Sequence, residues 1–198
     1  MTTTRTRAAL GALTAIAALA LTACGGGDGA AAPHGGAAAD AHNAQDVTFA
    51  QRMIPHHRQA LEMAELAAGR ASSSRVKDLA ARIEKAQDPE IGTMSGWLKA
   101  WGEDVPMAGM DHGGHAGTAG AMTGMMDDAD MTALKKAHGS DFDTKFLTMM
   151  AEHHRGAVEM AATERSAGAY RPATDLARAI ATGQNAEIKE MNRLLGKG

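Results

Sequence analysis

The stretch Met53-Ile-Pro-His-His-Arg-Gln-Ala-Leu-Glu-Met-Ala64 occurs a second time, as Met150-Ala-Glu-His-His-Arg-Gly-Ala-Val-Glu-Met-Ala161. Working outward from these two segments, Asp46–Leu98 aligns without gaps on Asp143–Leu195 at a constant offset of 97 residues, with 19 identities over 53 positions. The identities begin with Asp46/Asp143, Phe49/Phe146 and Met53/Met150, and continue past the histidines to Ile83/Ile180, Gln87/Gln184, Glu90/Glu187 and Met94/Met191. They recur at steps of three, four and seven, the period of a helix, and a duplication at this length is one supersecondary unit repeated. Each copy predicts a helical hairpin. In copy one (46–98) the first helix runs from Asp46, as N-cap, to near Gly69, and a second opens at Ser72–Ser74 and stops at Gly102. Copy two (143–195) carries Asp143, Gly168, Pro172 and Gly196 as the corresponding signals. Pro55 and Pro89 stand where copy two has Glu152 and Ala186, and predict a kink, or a first helix that begins near Ile54. Two amphipathic hairpins pack as an all-α four-helix bundle.

Composition agrees. Hydrophobic residues make up 44% of the 198-residue chain but aromatics only 3%, so the core is filled by Ala, Leu, Ile and Met, which suits helices better than sheet. A formal net charge of −3 recommends neither nucleic acid nor a polybasic membrane surface. The 14 methionines stand against one cysteine, Cys24, which can form no internal disulfide.

That cysteine closes a short export signal. Arg5 and Arg7 precede an apolar run, Ala8–Leu21, too short for a bilayer span. Leu21-Thr22-Ala23-Cys24 resembles the lipobox of bacterial lipoproteins, which implies that residues 1–23 are removed and Cys24 is lipidated. Residues 24–42, mostly Gly and Ala, read as a flexible stalk, leaving 43–198 as the folded domain on the outer face of a cell membrane.

Advancing the first helix by about 100° per residue places Asp46, Phe49, Met53, His56, His57, Ala60, Met63 and Ala64 on one arc, with Arg58 and Glu62 opposite as an exposed pair. Copy two repeats the arc with Met150, His153, His154 and Met160. In the second helices, Gln87, Glu90 and Met94 share a face with Ile83, as Gln184, Glu187 and Met191 do with Ile180. Methionine at helical spacing is ordinary core filler, but four imidazoles on inward faces would be costly without partners, and a metal would satisfy them. Thioether with imidazole and no thiolate points to copper, Cu(I) or Cu(II), or to silver as its soft mimic. The connection between copies (102–142) carries Met107, Met110, His112, His115, Met122, Met125 and Met126 in a polar Gly-rich setting, where they read as an accessory site and not as core.

The motif Met-x-Pro-His-His-x-x-Ala-x-x-Met-Ala resembles the signature of the domain of unknown function 305 family; Met150–Ala161 is similar but has Glu152 for the proline. The resemblance implies a ferritin-like four-helix bundle, and CopM-like members of that family are exported copper-binding proteins linked to copper resistance. It implies Met53, His56, His57, Met63, Met150, His153, His154 and Met160 as ligand candidates, with Met94 and Met191 secondary. The expectation is a membrane-tethered protein that sequesters copper or hands it to a transfer partner, without catalysis. The rival is a ferritin-like oxidase at a dimetal centre, which would use Glu-x-x-His motifs; the sequence has none. A pH-sensing histidine module is a third reading, one that leaves the Met-rich connection unexplained.

Overall fold

The computed structural model describes residues 41–107 and 122–197. The expected export signal, Cys24 and nearly all of the stalk lie outside them, as do Met110, His112 and His115. Four long helices dominate: α1 (Ala44–Glu65), α3 (Ser74–Trp101), α5 (Gly139–Ala167) and α6 (Arg171–Leu194). Two short ones, α2 (Ala67–Arg70) and α4 (Asp128–Lys136), sit in the connections. Helix α1 packs along α3, α5 along α6, and α1 against α5, so each copy is a hairpin and the bundle joins the two through their first helices. Among the described residues there is no strand, only an isolated bridge between Ala71 and Gly139, and no helix is long and apolar enough to cross a membrane.

The expected inward arc is the buried one. Asp46, Phe49, Met53, His56, His57, Ala60, Met63 and Ala64 are all buried in α1. All three phenylalanines, Phe49, Phe142 and Phe146, are fully enclosed. The core divides into two clusters. One gathers Ala60, Met63, Ile83, Phe146, Met150 and Met191; the other gathers Phe49, Met53, Met94, Ala157, Ala161 and Ile180. A shift of 97 residues carries Phe49, Met53 and Met94 onto Phe146, Met150 and Met191, so the duplication maps one cluster onto the other.

Several local expectations need correction. The N-cap of α1 is Asn43, with Asp46 at the third helical position closing a capping box. Helix α5 begins at Gly139, so Asp143 lies inside it. Neither aspartate is the N-cap of its own helix, and both tie down the opposite hairpins. Asp46 accepts the backbone N–H groups of Ala169 and Tyr170 at the start of α6. Asp143 accepts those of Ser72 and Ser73 at the start of α3. Helix α1 stops at Glu65, short of Gly69. It runs through Pro55, as α3 runs through Pro89, so α1 does not begin near Ile54. Burial of Pro55 in the core outweighs the lost hydrogen bond. Arg58 and Glu62 do not pair: Arg58 donates to the Pro106 carbonyl at 2.6 Å, and Glu62 meets Lys135 at 2.6 Å. The inter-copy connection is not wholly outside the core. Met131 and Leu134 of α4 and then Ala137 are buried, and Met126 packs against them.

One buried carboxyl breaks the symmetry. Glu164, where copy one has Ala67, is fully enclosed against Asp46 beside Gly168. Burial, reinforced by the hydrogen bond to Asp46 and its charge, pushes Glu164 up to about 8. Burial also acts to raise Asp46, yet its hydrogen bonds from Glu164 and from the backbone of Asn43, Tyr170 and Ala169 leave it below the usual carboxylate value. Glu164 therefore holds the proton and donates it. Its folded value lies above its unfolded one, so its contribution is full below about pH 4.5 and is lost as pH rises towards about 8. Glu164→Gln, which keeps the shape and can still donate to Asp46, should flatten the fall in melting temperature across that interval; an unchanged pH profile would contradict the shared proton.

Candidate metal centre

Between the two apolar clusters runs a polar layer. Along each long helix the sequence passes from one cluster, through one or two polar residues, to the other: His56 and His57 on α1, Gln87 and Glu90 on α3, His153 and His154 on α5, Gln184 and Glu187 on α6. All four imidazoles are 0% exposed. His56 and His153 are equivalent residues of the two copies, and their ring centroids are 3.7 Å apart. A contact between equivalents lies on the axis that relates the copies. His57 and His154 flank it, each with Nε2 at 2.7 Å from a glutamate oxygen, of Glu90 and Glu187 respectively.

Six imidazole nitrogens in the layer are buried with no hydrogen-bond partner: both of His56, both of His153, and Nδ1 of His57 and His154. Both side-chain polar atoms of Gln87 and Oε1 of Gln184 share that condition. Each orphaned group costs on the order of 1–3 kcal/mol, so this layer is expensive unless something else uses it. Burial, then the neighbouring His57, pushes His56 down to about 3, against the opposing effect of the Thr123 carbonyl. His153 is held well below its ordinary value by burial and by the three other histidines. His154 is lowered by burial although Glu187 works against it. At neutral pH His56, His153 and His154 are therefore neutral imidazoles, each with a lone pair.

The thioethers are arranged differently from the imidazoles. Met53, Met63, Met94, Met150 and Met191 are fully buried, and all five belong to the apolar clusters on either side of the layer. Met160 is half-buried at the surface, over a small cleft with Gln45, Phe49 and Arg52. Among the described residues no three His, Cys, Asp or Glu side chains surround a common metal-sized space. The rings of His56 and His153 are instead in direct contact. The donor chemistry fits a soft cation, and the rings are closed together.

Of the connection's candidates, Met107 is 58% exposed, whereas Met122, Met125 and Met126 are half-buried. The turn at Met122–Met126 is built against the layer. Gln59 grips it from α1, accepting from Met126 N at 2.8 Å and donating to Met126 O at 2.9 Å. Its counterpart in copy two is Gly156, where any Cβ would overlap the Thr123 carbonyl oxygen. Gly124, at φ 83°, passes over the same spot; a Cβ there would sit 2.8 Å from the Glu152 carbonyl oxygen. One residue pair of the duplication has thus diverged so that one member holds the turn and the other makes room for it. Sequence reasoning did not assign Gln59, Gly156, Gln87 or Gln184. For the two layer glutamines the available signal was their identity in both copies; for Gln59 and Gly156 it was a mismatch inside the best-matched segment.

The family model described as "Domain of unknown function (DUF305)" matches residues 46–195. A DUF305 protein from Streptomyces coelicolor, described as secreted, has a similar structure, with 32% identity, 81% of this chain and 95% of that chain covered, and a TM-score of 0.68. A DUF305 fragment from Deinococcus radiodurans gives 31%, 79%, 98% and 0.65. CopM in its Cu(I)-bound form gives 31%, 75%, 94% and 0.61, and in its Cu(II)-bound form 34%, 75%, 94% and 0.64. No curated protein matches the chain.

Gly156→Ala should destabilise the protein by about 1–3 kcal/mol through overpacking against Thr123. Gly183→Ala in α6, where a Cβ meets nothing within 4 Å, should stabilise it by about 0.5–1 kcal/mol. Urea denaturation measures both, and equal effects of the two substitutions would show that the turn is not seated as described.

Proposed function

The chain belongs to the DUF305 family, and from that membership and the imidazole layer we propose that it binds copper. The reading is carried by one observation: six buried imidazole nitrogens without partners, gathered on and beside the axis of a duplicated bundle. Neutral imidazole is a ligand for copper in either oxidation state, and thioether selects the softer Cu(I). His56, His57, His153 and His154 would hold the ion. Met53 and Met150, one turn before the histidines, and Met63, two turns after, would supply sulfur, with Met94 and Met191 behind them; Met160, at the surface, is the least favoured of the expected donors. Silver, as a soft monovalent cation, would compete for the same donors. The half-buried Met122 and Met125, with Met107, Met110, His112, His115 and Met126, would form a weaker capturing site along the connection.

Copper is cargo in this reading. The protein sequesters it, or passes it to a transfer partner, outside the cytoplasm, tethered through a lipid on Cys24. The oxidase alternative loses support because the two inward glutamates, Glu90 and Glu187, each pair with a histidine of their own copy and no Glu-x-x-His motif is present. Steady turnover of an oxidisable substrate by the copper-loaded protein would restore it.

Anaerobic Cu(I) titration of the purified protein tests the proposal. The combined variant His56→Ala, His57→Ala, His153→Ala and His154→Ala should keep its helical circular dichroism. It should lose Cu(I) affinity by more than the roughly 10–100-fold that removing an outer-shell partner costs. Replacing Met107, Met110, Met122, Met125 and Met126 by Ile should lower capacity and leave the tightest binding in place. Binding by the four-histidine variant equal to that of the unaltered protein would sink the assignment.

A further inference from the structure

The four imidazoles are not equivalent. Neither nitrogen of His56 or His153 meets a carboxylate, so no charged partner fixes their tautomer. His57 and His154 each place Nε2 at 2.7 Å from a glutamate oxygen. A carboxylate can only accept at that distance, so Nε2 carries a proton, and in the neutral ring the lone pair is left on Nδ1. In both residues Nδ1 is the nitrogen buried without a partner. The glutamates come from α3 and α6 at positions related by the duplication. Their side chains are 21% and 20% exposed, against 0% for both histidines, so each reaches from the edge of the bundle to the outer side of a ring.

We propose that Glu90 and Glu187 are positioning residues for a cation in the layer: each fixes its histidine as the Nε2–H tautomer with the Nδ1 lone pair as donor, and supplies a negative charge behind the ring. This rests on the copper reading and adds to it which nitrogen binds and what holds it in place. Ligating histidines are commonly oriented in this way, the carboxylate raising the basicity of the donor nitrogen. The negative charge favours a cation over no cation in a site that burial otherwise makes hostile to charge. Two carboxylates therefore give an apolar bundle interior a means of accepting positive ions without leaving them uncompensated.

Two substitution pairs separate orientation from charge. Glu90→Gln with Glu187→Gln keeps an acceptor for Nε2–H and removes the charge; Glu90→Ala with Glu187→Ala removes both. Long-range nitrogen–proton NMR on the metal-free protein reads the tautomers directly. The expected result is Nε2–H at His57 and His154 in the unaltered and Gln proteins, and mixed tautomers in the Ala protein. Cu(I) affinity should fall about 10–100-fold in the Ala protein and by less in the Gln protein, with circular dichroism confirming that each is folded. Nδ1–H tautomers at His57 and His154 would overturn the proposal without touching the copper reading. So would unchanged affinity in the Ala protein alongside lost affinity in the four-histidine variant. If neither the glutamate nor the histidine substitutions alter binding, both readings fall together.

Discussion

Burying an imidazole removes it from the water that would otherwise satisfy both its nitrogens, and this bundle does so four times in one cross-section. Apolar clusters close over the layer on both sides. Within the layer α1 and α5 meet closely enough for His56 and His153 to touch. Several neighbouring features bear on that layer. The methionines above and below it fill gaps that branched residues would leave, and the glutamates reach in from the edge to the outer rings. The connection between the copies turns back over it at Thr123 and Gly124.

Duplication explains how such a layer arises without a second invention. A single hairpin bearing His56, His57 and Glu90 cannot bury its own polar stripe; two copies related by an axis bury each other's. The same logic governs the aspartates, since Asp46 and Asp143 each complete the turn of the other hairpin and so lock the two copies in register. Where the copies have diverged, the change has a local cause. Glu164 replaces Ala67 and shares a proton with Asp46, and Gly156 replaces Gln59 to admit a backbone turn that Gln59 then grips. The aromatic residues are just as unevenly placed: Trp97, Trp101 and Tyr170 pack together at one end, with His42 stacked on Trp101.

Much of this was legible in the sequence because the signal was repeated. Helical periodicity placed every residue of the inward arc of α1 correctly, and the offset between copies predicted which residues would be equivalent across the axis. The failures were at positions where long-range contacts decide the outcome. Asp143 has the right chemistry for a cap but caps a distant helix, and no local rule distinguishes the two. Arg58 and Glu62 have helical spacing for a pair, yet each found a better partner in a connection whose path is invisible to periodicity. The polar, Gly-rich look of that connection concealed α4, whose Met131 and Leu134 complete the core. The histidines were legible as inward residues because they lie on the apolar arc in both copies, but their contact on the axis depends on how two hairpins dock.

The claim on which the account turns is that imidazole nitrogen from the bundle's polar layer holds copper. Copper-edge X-ray absorption of the Cu(I)-loaded protein measures the ligand atoms directly. The account predicts a nitrogen shell with the outer-shell scattering of imidazole rings, together with a sulfur contribution from methionine. A first shell made of sulfur alone, without imidazole scattering, would place the ion among thioethers and contradict it.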